Sequence, residues 1–169
     1  EWCRYEKLSM VRIRTYFQCF SKSKILKTYK IRGINFPLFY YHMKNTNNLL
    51  TIVIPSYNEE RYIYNTLWQI SRQKEINGTR VIISDANSTD KTIEYINKAS
   101  KDFPKLKIEL TEGGHTPKGR NNGAKLVNTP YILFMDADSV LQGSQVITEV
   151  KKYLNDYEII SCKQKSITS

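Results

Sequence analysis

Negative charge is scarce in the first part of this 169-residue chain. Residues 1–48 carry 10 Lys or Arg against 2 Asp or Glu, whereas residues 49–169 carry 16 against 14, so the net charge of +10 belongs mainly to the N-terminal part. Apolar runs of about 18 residues, the length that spans a bilayer, are also lacking, as is the apolar core of a secretory signal. The sequence therefore predicts a soluble or peripheral protein, cytoplasmic or at the cytosolic face of a membrane.

Cysteine is sparse as well. Cys3, Cys19 and Cys162 are odd in number and lack the spacing of metal ligands. Such a pattern is typical of reduced thiols in a cytosolic compartment. It argues against a disulfide framework and against a cysteine-based metal site.

Residues 1–48 show no clear apolar period, so we treat them as a poorly defined basic extension of a folded domain at 49–169. Within the extension, 11–14 alternate in the manner of a strand and 34–43 form an aromatic, apolar cluster. Basic residues interleaved with Tyr and Phe fit nucleic acid, an anionic membrane surface or no partner. We favour a peripheral membrane contact over nucleic acid.

From residue 49 onward, apolar runs and helical periods alternate. The runs predict strands at 50–54, 80–84, 106–110, 131–135 and 157–162, and the periods predict helices at 59–73, 89–103, 121–127 and 146–154. Asn58 is the predicted cap of the first helix, and 112–119 the predicted glycine-rich loop. This alternation is typical of an α/β three-layer sandwich with a mainly parallel sheet and right-handed crossovers.

The most informative stretch is 131–139, in which five apolar residues run directly into Asp136 and Asp138. If the chain stays extended there, both carboxylates project to the same side, roughly 6 to 7 Å apart. They could then share one hard cation and the phosphates that it carries. The alternative is that one carboxylate caps the next helix or turn and the other is solvated.

Unusual polar residues follow each predicted strand, and the carboxyl ends of parallel strands are where ligands bind in such sheets. Asp85 can accept hydrogen bonds from the edge of a nucleobase. The segment 55–59 offers an aromatic ring and polar groups beside a helix N-terminus. Lys118 and Arg120 flank Gly119 and can reach a diphosphate, which a cation held by Asp136 and Asp138 would bridge.

Four motifs, in this order and spacing, resemble the family 2 glycosyltransferases. They are TIVIPSYNEE at 51–60, SDANSTDKT at 84–92, GRNNGA at 119–124 and FMDADS at 134–139. The resemblance covers about 49–162 and implies a GT-A (Rossmann-like) fold and an inverting enzyme that uses nucleotide-diphospho-sugars. UDP is the favoured carrier and GDP the second choice.

By position, the resemblance implies roles for seven residues. Those around the nucleotide and its diphosphate are Pro55, Tyr57, Glu59, Asp85, Arg120 and Asp136, to which Lys118 is added from its place beside Gly119. Asp138 is the implied direct ligand of Mg²⁺ or Mn²⁺, with Asp136 contacting the ribose or the metal. The implied reaction moves a hexose to a glycan, a lipid or a polyprenyl phosphate.

The general base is not among these residues. The resemblance places it on a segment after the fifth strand, which is expected beyond Ser169, so the sequence predicts a donor half that lacks most of the acceptor half. Glu112 and His115 are titratable and near the predicted edge, but the resemblance gives no reason to assign either as the base. The alternative function is a non-catalytic or truncated nucleotide-sugar-binding module.

Overall fold

A computed structural model of the chain describes residues 18–21, 49–154 and 159–161. These residues form six strands and four helices, and from β2 onward strands and helices alternate as predicted. The elements are β1 (Gln18–Ser21), β2 (Leu50–Ser56), α1 (Ile63–Ser71), β3 (Thr79–Asp85), α2 (Thr92–Asp102), β4 (Leu106–Glu112), α3 (Thr116–Lys125), β5 (Tyr131–Phe134), α4 (Val146–Tyr153) and β6 (Ile159–Ser161).

The strands form one sheet in the order β4-β3-β2-β5-β1-β6. Its first four strands are mutually parallel, as crossover connections through helices require, whereas β1 pairs antiparallel with both β5 and β6. Sequence patterning did not assign β1, which lies within the basic extension. The predictions for 11–14 and 34–43 fall outside the described residues.

The core lies on both faces of the sheet, because successive side chains of a strand point to opposite faces. On one face, Ile52 and Ile54 of β2 pack in a large cluster with the apolar sides of α1, α2 and α4. On the other face, Val53 packs in a smaller cluster with Ile82, Val127 and Ile132, beneath α3. The predicted three-layer α/β sandwich is therefore confirmed.

Several predicted boundaries were wrong by a few residues at the carboxyl ends of the strands. β2 continues through Pro55 to Ser56. Proline is tolerated there because the pairing of β2 with β5 ends at Val53, so that the N–H that Pro55 lacks is not needed for a strand on that side. β5 ends at Phe134, so Asp136 and Asp138 are not extended. They lie in a turn, in which the Ser139 amide donates to the Asp136 carbonyl at 3.2 Å.

The helix starts differ too. α1 begins at Ile63, and Asn58 does not cap it: Asn58 adopts a φ of 54° and its Oδ1 accepts from the Thr89 amide instead. α3 begins at Thr116, with Pro117 in its first turn, where proline needs no donor. Lys118 and Arg120 thus lie on a helix rather than in a glycine-rich loop. In the part of the chain that the structure describes, no helix is long and apolar enough to cross a membrane.

Candidate functional site

Backbone hydrogen bonds join the carboxyl ends of the parallel strands into one edge. The Ala86 amide donates to Ser56 O at 2.8 Å, and the Gly113 amide donates to Asp85 O at 2.6 Å. On the other side of β2, the Met135 amide donates to Val53 O at 3.0 Å. Four segments that are far apart in sequence therefore meet at the edge where a parallel sheet binds ligands.

The loops after β2 and β3 are held together by reciprocal hydrogen bonds. The Asn58 amide donates to Ser88 Oγ, and Asn58 Oδ1 accepts from the Thr89 amide, both at 2.9 Å. The Glu59 amide donates to Thr92 Oγ1 at 2.7 Å. Since Asn tolerates a positive φ better than most residues, Asn58 at 54° allows the tight path that this pairing needs. The two loops therefore form one rigid unit.

Asp85 lies at the end of β3 and is only 6% exposed. Its Oδ2 accepts from the Ser88 amide at 2.7 Å, and its Oδ1 accepts from the Ser88 hydroxyl at 2.6 Å. These bonds fix the carboxylate, and each oxygen keeps a further lone pair for another donor. The predicted contact of Asp85 with a nucleobase is compatible with this geometry and stays a prediction.

Three carboxylates, Glu59, Asp136 and Asp138, form an acidic group at the edge. Burial, together with the charges of Asp138, Asp136 and Asp90, raises the pKa of Glu59 to about 7. Burial, with the charge of Asp136, raises the pKa of Asp138 to about 6. The ionised forms of Glu59 and Asp138 are therefore disfavoured. A bound cation would remove this repulsion.

Arg120 supplies positive charge to the group. Its Nη2 lies 2.6 Å from Asp136 Oδ1, with the two side chains 24% and 16% exposed. Its Nε is buried without a hydrogen-bond partner. Such an orphaned donor is costly in a folded protein. The sequence predicted both residues for the donor edge but did not predict this contact between them.

Glycines set the position of Arg120 by letting α3 lie close to the sheet. A Cβ on Gly123 would come within 2.4 Å of Val53 Cγ1, and one on Gly119 within 3.2 Å of Pro55 Cβ. Ser84 Oγ donates to the Gly119 carbonyl at 2.7 Å. The small face of α3 therefore holds Arg120 against the strand ends.

The other predicted residues lie around this centre. Tyr57 follows β2 with its side chain 59% exposed, so its ring is open to stacking, whereas Pro55 is partly buried beneath α3. Lys118 is exposed in the first turn of α3. Glu112 and His115 are also exposed, on the segment that leads into α3.

Sequence patterns missed the residues that hold the turn containing Asp136 and Asp138. Thr66, buried on α1, donates to Ala137 O at 2.7 Å and to Ser139 O at 3.1 Å. Gln69 Oε1 accepts from the Leu141 amide at 2.6 Å. The available signal was weak: Thr66 and Gln69 are polar residues next to the apolar positions of α1. Ser56, whose hydroxyl is buried without a partner at the end of β2, was likewise not assigned a role.

The described residues, 18–21, 49–154 and 159–161, contain no group of three His, Cys, Asp or Glu side chains poised around a single metal position. Mg²⁺ and similar cations, however, are commonly bound by one or two carboxylates, with water and substrate phosphates completing the coordination. Asp136 and Asp138 supply such a pair, and their mutual repulsion fits a cation. The donor set therefore suits a metal that arrives with a diphosphate.

Comparison with known proteins agrees with this geometry. The model of the family "Glycosyl transferase family 2" matches residues 51–168. The teichoic acid poly(glycerol phosphate) polymerase of Staphylococcus epidermidis is 33% identical over 116 residues, which are 68% of this chain and 16% of that protein.

Solved structures show the same fold. S. aureus TarS in complex with UDP-GlcNAc has a TM-score of 0.54 at 23% identity, covering 63% of this chain and 31% of that one. The Pyrobaculum calidifontis mannosyltransferase, in complex with GDP-Man and Mn²⁺, has a TM-score of 0.56 at 23% identity, covering 64% and 32%. The predicted GT-A fold is confirmed. The chain spans no more than about a third of each of these proteins.

Proposed function

Because the chain belongs to glycosyl transferase family 2, we propose that it provides the donor site of an inverting hexosyltransferase. In this proposal, the carboxyl edge binds a nucleotide-diphospho-sugar, with UDP as the first choice of carrier and GDP as the second. Two solved structures of the same fold hold such donors, UDP-GlcNAc in one and GDP-Man in the other. The acceptor is a glycan, a lipid or a polyprenyl phosphate.

The observation that carries the proposal is the half-buried acidic group beside Arg120. Such an arrangement costs folding free energy unless a ligand neutralises it. A nucleoside diphosphate with a divalent cation would balance the charges of both parts of this arrangement. The cation would neutralise Asp136 and Asp138, and the diphosphate would neutralise Arg120. The ligand and the site thus complement each other in charge.

In this proposal, different residues bind the nucleoside, the diphosphate and the metal. Tyr57 and Asp85 would hold the nucleoside, through ring stacking and hydrogen bonding to the base edge. Arg120 and Lys118 would neutralise charge that accumulates on the departing diphosphate. Asp138, with Asp136, would hold Mg²⁺ or Mn²⁺, which when bound supplies Lewis-acid stabilisation of the leaving group.

The chemistry of the transfer depends on the charge of the leaving group, and its location in the cell on the basic residues of 1–48. Glycosyl transfer has oxocarbenium character, so interactions with the leaving diphosphate lower the barrier directly. We assign the reaction to the cytoplasm or the cytosolic face of a membrane. There, the basic residues of 1–48 would add a peripheral contact with anionic lipid.

Calorimetric titration tests the donor site. UDP, GDP and their sugar conjugates are titrated into the chain with Mn²⁺ or Mg²⁺, and again with EDTA. We expect one nucleotide to bind in a metal-dependent way and thereby to identify the carrier. Absence of binding by the folded chain under every condition would contradict the proposal.

The second candidate is a module that binds the donor without turning it over. The observations above fit it equally well, since none of the described residues is assigned here as the general base. Donor hydrolysis distinguishes the two candidates. Metal-dependent release of nucleoside diphosphate above the uncatalysed rate would exclude the binding module, whereas tight binding with no release would support it.

A further inference from the structure

A second concavity lies outside the donor edge, at the N-terminal ends of α1 and α2. It is open to solvent and has a volume of about 450 Å³. Six side chains line it: Glu60, Arg61, Tyr64, Lys91, Tyr95 and Lys98. The proposed donor chemistry uses none of them.

Positive charge is in surplus in this concavity. Arg61, Lys91 and Lys98 are exposed, and none forms an ion pair within the described ranges. Glu60 is the one carboxylate in the lining, and its Oε2 already accepts from the Lys91 amide at 3.0 Å. Two further carboxylates, Asp90 and Asp102, border the concavity, where they accept from the Glu60 amide and the Tyr64 hydroxyl. The three cations are exposed and can still meet phosphate oxygens, which are strong acceptors for Arg and Lys.

One wall of the concavity is aromatic and fixed in place. The Tyr64 hydroxyl donates to Asp102 Oδ2 at 2.7 Å, and its ring lies edge-on to Tyr95 with centroids 6.5 Å apart. The Lys98 ammonium lies 5.0 Å from the centroid of the Tyr64 ring, a favourable cation–π distance. The concavity therefore offers preformed ring surface beside its cations, which suits a ligand with C–H faces as well as charge.

The cations lie along the concavity rather than at a single point. Lys91 precedes α2 and Lys98 lies two helical turns further on, which separates their backbones by about 10 Å. A single inorganic phosphate would leave part of this length unused. The spacing instead fits an extended ligand that carries more than one phosphate.

We infer that this concavity binds a phosphodiester-linked polyol or sugar chain. Its phosphates would meet Arg61, Lys91 and Lys98, while its carbon skeleton packs on Tyr64 and Tyr95. The role of that ligand as the acceptor rests on the proposed function. Its binding does not, because the lining residues are separate from the donor-binding set.

The concavity adjoins the donor edge through two pairs of neighbouring residues. Glu60 follows Glu59, and Lys91 follows Asp90. The Glu60 amide also donates to Asp90 Oδ2 at 3.1 Å, which joins the two loops at this point. A chain held in the concavity would therefore lie next to the loops that follow β2 and β3.

A matched pair of triple variants tests the inference at constant ionic strength. The first, Arg61→Gln with Lys91→Gln and Lys98→Gln, removes the three lining cations. The control, Lys74→Gln with Lys101→Gln and Lys105→Gln, removes three exposed lysines elsewhere and changes the net charge equally. A soluble glycerol phosphate oligomer is titrated into each, and UDP and GDP are titrated into the same samples with Mn²⁺.

We expect the oligomer to bind the wild-type chain and the lining variant to lose about 10-fold or more in affinity, whereas the control loses about 2-fold or less. Equal losses in the two variants, or no binding by the wild-type chain, would overturn the inference. So would binding confined to phosphatidylglycerol vesicles with none to the soluble oligomer. Nucleotide binding that both variants retain would show that the concavity is separate from the donor site. Absence of nucleotide binding from the wild-type chain and both variants would reject the donor proposal, while the oligomer titration would still decide whether the concavity binds its ligand.

Discussion

Two arginine–carboxylate pairs, one towards each end of the sheet, differ in what surrounds them. Near the amino end of β3, Arg80 forms a bidentate pair with Glu109 and also donates to the Leu126 carbonyl. The hydrogen bond from Arg80 lowers the pKa of Glu109. At the carboxyl end, Arg120 pairs with Asp136, but Glu59 and Asp138 lie close by with raised pKa values.

The difference shows which end is arranged for stability and which for ligand binding. One cation meets one anion at the amino end, so that pair is balanced. At the carboxyl end, one cation faces three carboxylates, and the ionised forms of two of them are disfavoured. An excess of charge that destabilises the free protein is typical of a binding site.

The largest expected effect comes from Asp138→Asn. Metal-dependent nucleotide binding should fall by about 100-fold or more, because loss of outer-shell partners alone costs about 10- to 100-fold in metal affinity. The free energy of unfolding without metal should stay the same or rise at pH 7.5, since a repelled carboxylate is removed. Calorimetry and urea unfolding measure the two quantities, with Glu94→Gln on the exposed side of α2 as control. Unchanged nucleotide affinity would contradict the metal assignment.

Gly113→Ala is expected to destabilise the carboxyl end. A Cβ at this position would lie 2.6 Å from Ser84 O and 2.7 Å from the Asp85 carbonyl carbon, and backbone atoms cannot give way cheaply. The loss should be about 1–3 kcal/mol of unfolding free energy.

At the amino end, Gly78 has a φ of 74° with no atom within 4 Å of an added Cβ. Gly78→Asn meets no neighbouring atom and places in the left-handed region one of the residues that tolerate it, so the loss should be about 1 kcal/mol or less. Equal losses for both variants in thermal or urea unfolding would refute this contrast.

Removing each arginine sharpens the comparison of the two pairs. Arg120→Met should cost about 1–2 kcal/mol of unfolding free energy, because it leaves a partly buried carboxylate uncompensated beside two others. Arg80→Met should cost about 1 kcal/mol or less, since Glu109 is 43% exposed and water can replace its partner. Urea unfolding at pH 7.5 measures both. A larger loss for Arg80→Met would reverse our interpretation of the two ends.

The last expected effect is a pH dependence at Glu59. Its folded-state pKa of about 7 lies above the ordinary 4.5, so the folded protein loses stability as Glu59 ionises between these values. Glu59→Gln, which cannot ionise, should therefore gain stability relative to the wild-type chain as the pH rises through this window. Unfolding of both proteins in EDTA at several pH values gives the difference, with Glu94→Gln as a flat control. If the difference in unfolding free energy between the two proteins does not change with pH, Glu59 is not coupled to Asp136 and Asp138 in the way described.

Most of the fold could be predicted, because apolar runs and helical periods are local properties. The run at 131–135 gave the strand, and the alternation of elements gave the parallel sheet and hence one shared edge. The order of four motifs then placed Asp85, Arg120 and Asp138 at that edge. The order of elements alone could not locate β1, since 18–21 lie in a part of the sequence without a clear period.

The details of the site could not be predicted, because they depend on hydrogen bonds between distant residues. Thr66 holds the turn at Asp138 through a carbonyl 71 residues away, and Asn58 pairs with a loop 31 residues away instead of capping its own helix. The positive φ of Asn58 follows from that pairing. Local propensity indicates a turn or a cap at such residues but not which partner they bind.

Paramagnetic broadening of amide NMR signals tests the central claim most directly. Mn²⁺ and UDP, then Mn²⁺ and GDP, are added to ¹⁵N-labelled chain, and each amide signal is compared with that in the corresponding Mg²⁺ sample. We predict that the signals of Glu59, Asp136 and Asp138 broaden beyond detection with one nucleotide while those of Arg80 and Glu109 persist. Equal broadening at both ends of the sheet, or none at the carboxyl end with either nucleotide, would contradict a metal-assisted donor site there.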